Sequence, residues 1–218
     1  MSRHTLVVMN DFDGTLLDTM PAHGRLAADC IHRYFGMETG EAEAQYYSTR
    51  GVPFDNQLQL IFPDSSPETR RSCTDEYHGR KMAEVYDAAD LFPDVREALP
   101  ALQDLGFPLL VNTSTETPLT ARFLAKQGVL PYFDAVWGRE YGEKRDHIRR
   151  AIFLWAPAGA VFIGDSRSDV ALSDFNRSTR FMRTIGRYGT RKGMVTAEEL
   201  RDEGATYTVE KFTEIPAI

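Results

Sequence analysis

"LVVMNDFDGTLLDT", residues 6 to 19, begins as a buried strand and ends as something else. The apolar run Leu6 to Met9 leads through Asn10 into three aspartates, Asp11, Asp13 and Asp18, with Gly14 and Thr15 between them. Continuous rather than alternating apolarity suits a parallel strand covered on both faces. Asp11 then stands at the carboxyl end of the strand. Asp13, two residues on, returns to the same side of an extended chain, so both carboxylates can face one pocket. Gly14 lets the backbone turn sharply without a Cβ penalty. Asp18 or Thr19 can cap a helix that begins near Pro21, and Asp18 alone reads as such a cap.

Further apolar runs recur along the chain: "FPLLVN" at 107–112, "AVFIG" at 160–164 and "RFMRTI" at 180–185, with a last strand in "ATYTVEKFTEI" that Pro216 ends. Helical patterns lie between them, as in "TPLTARFLAKQGV", with Thr117 as N-cap, Pro118 at the first helical position and Gly128 past the end. Strands alternating with helices predict an α/β fold. From Met20 to about Ala89 the alternation breaks. That stretch holds amphipathic helix candidates, "AHGRLAADCIHRYFG" and "ETRRSCTDEYHGRKMAEVYDAA", joined by turn-rich loops such as "STRGVPFDN" and "FPDSSPE". It reads as a helical unit inserted after the first strand.

A second acidic stretch, "VFIGDSRSD", ends another buried strand in Gly164 and Asp165, with Asp169 four residues on. A starting helix would turn both carboxylates to one side. Open α/β sheets bind ligands at the carboxyl ends of their strands, where these aspartates would meet. Two like charges about 4 Å apart repel by roughly 4 kcal/mol at an effective dielectric of 20. Several carboxylates sharing a pocket with a phosphate therefore call for a hard divalent cation, and carboxylate and carbonyl oxygens suit Mg²⁺. "LLVNTST" adds the Thr113 hydroxyl and helix-start amides that can hold a phosphate, although Thr113 and Ser114 alone would read as cap residues. Lys144, at the start of a helix, would alone read as a surface lysine.

Composition limits the alternatives. The 218 residues allow one sizeable core plus a smaller unit; 42 % are hydrophobic and 26 % charged, ordinary for a soluble globular chain. No apolar stretch approaches the roughly 20 residues that span a bilayer, and no charged-then-apolar leader precedes Leu6, so the expectation is a cytoplasmic protein with no membrane partner. Lys and Arg number 25 against 32 Asp and Glu, net −7, which repels nucleic acid and favours a small substrate. Cys30 and Cys73 form no metal-ligand pattern.

"DFDGTLLDT", a Thr ending the next core strand, a Lys after "DAVWG", and "GDSRSD" follow the order and rough spacing of the four motifs of the haloacid dehalogenase (HAD) superfamily. The chain resembles its phosphatases with a helical cap inserted after the first motif, the phosphoglycolate phosphatase and β-phosphoglucomutase-like subgroup. The resemblance implies a Rossmann-like parallel-sheet core of residues 1–18 and 93–218 and an all-helical cap of 19–92. It implies a Mg²⁺-dependent phosphatase of a small phosphorylated metabolite, working through an aspartyl-phosphate. Asp11 would be the nucleophile and Asp13 the acid and base. Thr113 and the Ser114 N–H would grip the phosphoryl group, and Lys144 would neutralise charge. The metal would be held by Asp11, the Asp13 carbonyl and Asp165, with Asp169 as an outer or alternative ligand. Asp13 argues against carbon–halogen cleavage, since the dehalogenases lack it. The related mutases resemble this chain around His23 and "RGVPFDNQL" but carry an Arg where Phe54 stands, which weakens a phosphotransferase or mutase reading. A non-catalytic phosphate-binding module would need no nucleophile beside an acid. Arg50 and His23 are candidate substrate contacts in the cap, each with a plain alternative as a surface or helix-face residue. Asp94 replaces a usual Gly in a turn, where it is expected to matter little.

Overall fold

The computed structural model describes residues 6–50, 52–175, 181–189 and 193–217. Gly51 of the "STRGVPFDN" loop, Arg180 of the strand expected at 180–185, and residues 1–5, ahead of the first strand, lie outside them. The chain divides into two compact units, Met1–Asp18 with Leu91–Ile218, and Thr19–Asp90.

In the first unit the strands are β1 (Leu6–Asn10), β2 (Leu109–Asn112), β3 (Ala135–Trp137), β4 (Gly159–Gly164), β5 (Met182–Arg187) and β6 (Tyr207–Val209). They form one sheet in the order β3-β2-β1-β4-β5-β6, and every pairing is parallel. β1 is central, between β2 (Val8 opposite Leu109) and β4 (Val8 opposite Val161). On one sheet face Val7, Met9, Leu110 and Phe162 pack with Ile148 and Ala151 of a helix at Lys144–Trp155. On the other, Leu6, Val8, Val161 and Ile185 line a crevice with Leu102 of the Pro93–Asp104 helix. Both faces of β1 are thus covered, which is why its sequence is apolar without alternation. β3, three residues long at the sheet edge, was not expected from the sequence. So short a run carries no periodicity to read.

The helix expected from Thr117 spans Thr117–Lys126, but its N-cap is Glu116. Thr117 instead accepts the Gly138 N–H at 2.7 Å and donates to Glu140 at 3.0 Å, tying the helix start to the loop after β3. Pro216 lies inside a 3₁₀ segment, Phe212–Ala217, rather than ending a strand. Asp94 corrects the expectation of an unimportant turn residue. It sits in the first turn of the Pro93–Asp104 helix and accepts hydrogen bonds from the Phe212 N–H (2.6 Å) and from Arg187 Nη2 (3.0 Å). Arg187 is 4 % exposed and also donates to the Thr15 carbonyl at 3.0 Å, with its guanidinium 3.9 Å from the Phe92 ring centroid.

The second unit is helical: Met20–Phe35, Thr39–Ser48, Phe54–Ile61 and Pro67–Lys81, the last running on through a π-helical turn at Met82–Tyr86. The third of these begins inside the stretch expected to be the loop "STRGVPFDN". Thr19 is the N-cap of the first helix by position, without a side-chain cap bond, and Gly36 ends that helix at φ +71°. Leu26, Ile31, Leu58, Cys73 and Tyr86 are buried in its interior. Arg80 bridges Asp29, Glu76 and Glu84. No helix among the described residues is long and apolar enough to cross a membrane.

Candidate active site

The carboxyl end of β1 supplies the first side chains. The Asp11 N–H extends the β1–β4 pairing by donating to the Ile163 carbonyl at 2.8 Å. Phe12 turns inward, fully buried and edge-on to Phe123 (5.8 Å between ring centroids). By the alternation of an extended chain, Asp11 and Asp13 face the other way. Gly14 adopts φ +79°, and a Cβ there would lie 2.7 Å from Asp165 Cγ, so both its conformation and its neighbour require glycine. Thr15 donates its hydroxyl to Asp165 Oδ1 at 3.0 Å.

β4 delivers Asp165 at its carboxyl end, and a one-turn helix, Arg167–Val170, follows. Ser166 caps that helix with Asp169 as its reciprocal partner, so Asp169 Oδ2 accepts from the Ser166 hydroxyl at 2.6 Å. Asp169 Oδ1 takes Lys144 Nζ at 2.6 Å, and the same ammonium reaches Asp11 Oδ1 at 3.0 Å. Lys144 opens the Lys144–Trp155 helix, where the macrodipole disfavours a cation. Two buried carboxylates within salt-bridge reach outweigh that. Burial presses the Lys144 ammonium toward its neutral form, yet Asp11 and Asp169 hold its pKa above the ordinary lysine value. Burial drives the Asp11 carboxyl well above its usual range; Lys144 opposes this, while Asp169 and Asp165 add to it.

Ligand oxygens of Asp11, Asp165 and Asp169 lie within 4.8 Å of one another, all three residues buried. Three carboxylates against one ammonium leave negative charge in a site shielded from water, and an all-oxygen donor set fits a hard divalent cation. The Asp13 side chain is not in this group. Its Oδ2 accepts the Thr115 hydroxyl at 2.8 Å.

β2 ends in Asn112 and hands over to Thr113, whose N–H donates to the Trp137 carbonyl at 3.0 Å. Thr113 Oγ1 accepts the Thr115 N–H at 3.0 Å, which directs its own hydroxyl proton elsewhere. Ser114 is exposed. Asp11, Lys144, Asp165 and Asp169 are therefore brought together, with Asp13 and Thr113 linked through Thr115. Thr15, Thr115 and Ser166 were not anticipated. The i, i+2 spacing of Thr113 and Thr115 was the one available signal for Thr115.

His23 and Arg50 belong to the helical unit. His23 is 4 % exposed and meets the Tyr77 hydroxyl through Nδ1 at 2.6 Å. Arg50, partly exposed, follows the C-cap Thr49 of the Thr39–Ser48 helix. Phe54 is buried and stacked on Tyr77, ring centroids 4.1 Å apart.

Residues 8–174 match the family model of haloacid dehalogenase-like hydrolases. The chain belongs to this family. Among proteins similar to this HAD hydrolase, a phosphoglycolate phosphatase of Vibrio vulnificus is 28 % identical over 173 residues, 73 % of this chain and 75 % of that protein. Among solved structures, a predicted phosphatase from Clostridium acetobutylicum superposes with a TM-score of 0.79 at 24 % identity, covering 99 % of this chain and 98 % of that one. A haloacid dehalogenase-like family hydrolase from Streptococcus pneumoniae does so with a TM-score of 0.78 at 21 % identity, covering 100 % and 99 %. At these identities the two structures speak for the fold.

Proposed function

We propose that this HAD hydrolase cleaves a small-molecule phosphate monoester through a phosphorylated Asp11. Membership of a hydrolase family and the phosphatase relatives support a phosphoric monoester hydrolase. The observation that carries the finer reading is the buried Asp11–Lys144–Asp169 arrangement with Asp165 beside it. Lys144 opposes the burial that raises the Asp11 carboxyl, and a divalent cation held beside it would favour the ionised form that a nucleophile needs.

In this reading an Asp11 oxygen bonds to phosphorus as the ester P–O bond breaks. Asp13 protonates the departing oxygen and then takes a proton from the water that hydrolyses the acyl phosphate. The Thr113 hydroxyl and Ser114 N–H grip the phosphoryl oxygens, and Lys144 offsets charge on Asp11 and the phosphate. Asp11, Asp165 and the Asp13 carbonyl would hold Mg²⁺, which supplies charge neutralisation for phosphoryl transfer. Asp169, both of whose oxygens already have partners, acts chiefly to hold Lys144.

We assign the helical unit the part of a cap that selects the leaving group, with Arg50 its candidate contact for an anionic substrate. His23 and Phe54 serve its interior, which speaks against a mutase-type phosphate contact at position 54. Phosphoglycolate, after the relatives' name, heads a substrate panel with sugar phosphates and nucleotides.

Phosphate release from p-nitrophenyl phosphate and this panel, with Mg²⁺ and with chelator, tests the proposal. Mg²⁺-dependent turnover that Asp11→Asn abolishes is the expected result. Absence of turnover above buffer with any of several divalent ions would overturn the enzyme reading, and substantial turnover by Asp11→Asn would overturn the covalent route.

A further inference from the structure

We infer that Thr115 is a positioning residue for Asp13, deciding which of its carboxyl oxygens carries the proton given to the leaving group. This rests on the phosphatase reading above. The Thr115 hydroxyl donates to Asp13 Oδ2 at 2.8 Å. A protonated carboxyl has one carbonyl oxygen and one O–H, and because the carbonyl oxygen is the stronger acceptor, a hydroxyl donating to one oxygen favours the proton on the other. The proton of the acid form is thereby assigned to Oδ1. As the Asp11 oxygen bonds to phosphorus, the ester P–O pair leaves with the ester oxygen, which takes that proton from Oδ1, and Asp13 becomes a carboxylate still held by Thr115.

The hydroxyl is held firmly enough for this task. Thr115 is 5 % exposed. Its N–H is spent on Thr113 Oγ1 at 3.0 Å and its carbonyl accepts the Arg139 N–H at 3.2 Å. Gly138 packs so closely against this segment that a Cβ there would collide with the Thr115 carbonyl. A β-branched side chain adds stiffness at χ1. One residue thus links the hydroxyl expected to grip phosphate with the carboxyl expected to release the leaving group. The link to Asp13 does not follow from the motifs, because it spans 102 residues.

The test uses leaving-group dependence, which a merely structural role would not alter. A good leaving group such as p-nitrophenolate needs little protonation, whereas an alkoxide needs a full proton. We expect Thr115→Val, nearly isosteric, to lower kcat/KM by about 30-fold for an alkyl phosphate and by only about 3-fold for p-nitrophenyl phosphate. The larger loss is within the ~10²-fold range of a misplaced catalytic group. Thr115→Ser, which keeps the donor, should restore most of the alkyl-phosphate activity. It also carries the test if the valine variant does not fold: a flatter leaving-group dependence than that of Thr115→Ala supports the role. Equal losses for both leaving groups in an active, folded variant, or no rescue by serine, would overturn this inference and leave the phosphatase reading standing. An inactive wild-type protein would overturn both.

Discussion

Lys144 is the residue on which the charge balance of the site turns. It stands between Asp11, 8 % exposed, and the fully buried Asp169. Removing one partner from a buried ion pair leaves charge that neither water nor protein compensates, at a cost of about 3–5 kcal/mol. Lys144→Met is therefore expected to lower stability by about that amount in urea titrations with chelator present, and to cut turnover by at least ~10²-fold. Three residues along the same helix, His147 is buried beside Trp137, and desolvation lowers its pKa from 6.5 to about 4. Neighbouring Lys144 and Arg150 also disfavour the charged form, while the Gly138 backbone and Asp146 favour it. The unfolded imidazole takes up a proton as the pH falls through 6.5, and the folded one only near 4. Its stability contribution is then complete above about pH 6.5 and is lost between 6.5 and 4. Urea midpoints at pH 7 and pH 4.5 should converge in His147→Phe relative to the parent; an unchanged pH dependence would show that His147 charges freely in the fold.

Two elements are joined at Asp94 and Arg187. Asp94 in the helix that opens at Pro93 and Arg187 at the end of β5 lie 93 residues apart, and the arginine also reaches the Thr15 carbonyl in the turn that carries Asp11 and Asp13. Asp94→Ala strands a guanidinium that is 4 % exposed and should cost about 3–5 kcal/mol. Arg187→Met should cost less, because Asp94 keeps the Phe212 N–H and can be partly solvated. Chemical denaturation of the two variants gives the comparison, and equal losses would mean that the pair acts by packing alone. At Gly14 an alanine would meet the Asp165 carboxylate and strain a backbone at φ +79°. Gly14→Ala should therefore lower the thermal midpoint and, by displacing the Asp165 carboxylate, weaken Mg²⁺ binding read by calorimetry. Gly36, at φ +71° with open space around it, should lose only the roughly 1 kcal/mol expected for a non-glycine left-handed cap.

For the whole molecule, a metal that binds only the folded form raises stability by RT ln(1 + [L]/Kd), about 2.7 kcal/mol at 100 times Kd. Thermal unfolding should therefore shift upward with Mg²⁺, and the shift should vanish in Asp165→Asn; an unchanged midpoint in the parent would remove Asp11, Asp165 and Asp169 as a metal site. The strand ends that carry these carboxylates were readable in the linear chain. Apolar runs ending in Asp11 and Asp165 mark strand ends, since a buried strand tolerates charge only where it leaves the sheet. The inserted helical stretch showed itself by the loss of strand-like runs after Met20. Which side chains meet was not readable. Thr115 finds Asp13 across 102 residues and Thr15 finds Asp165 across 150, because the sheet order β3-β2-β1-β4-β5-β6 sets β2 and β4 on either side of β1; Arg187, at the end of β5, finds Asp94 of a helix across 93. Asp169 showed the same limit. Read from its spacing as an outer or alternative metal ligand, it also has partners that the spacing did not reveal: Ser166 and Lys144 hold its oxygens. Where carboxylates leave the sheet is written locally, in periodicity and residue type. Their partners are not, since those hydrogen bonds form between strand ends that become neighbours after the chain has folded.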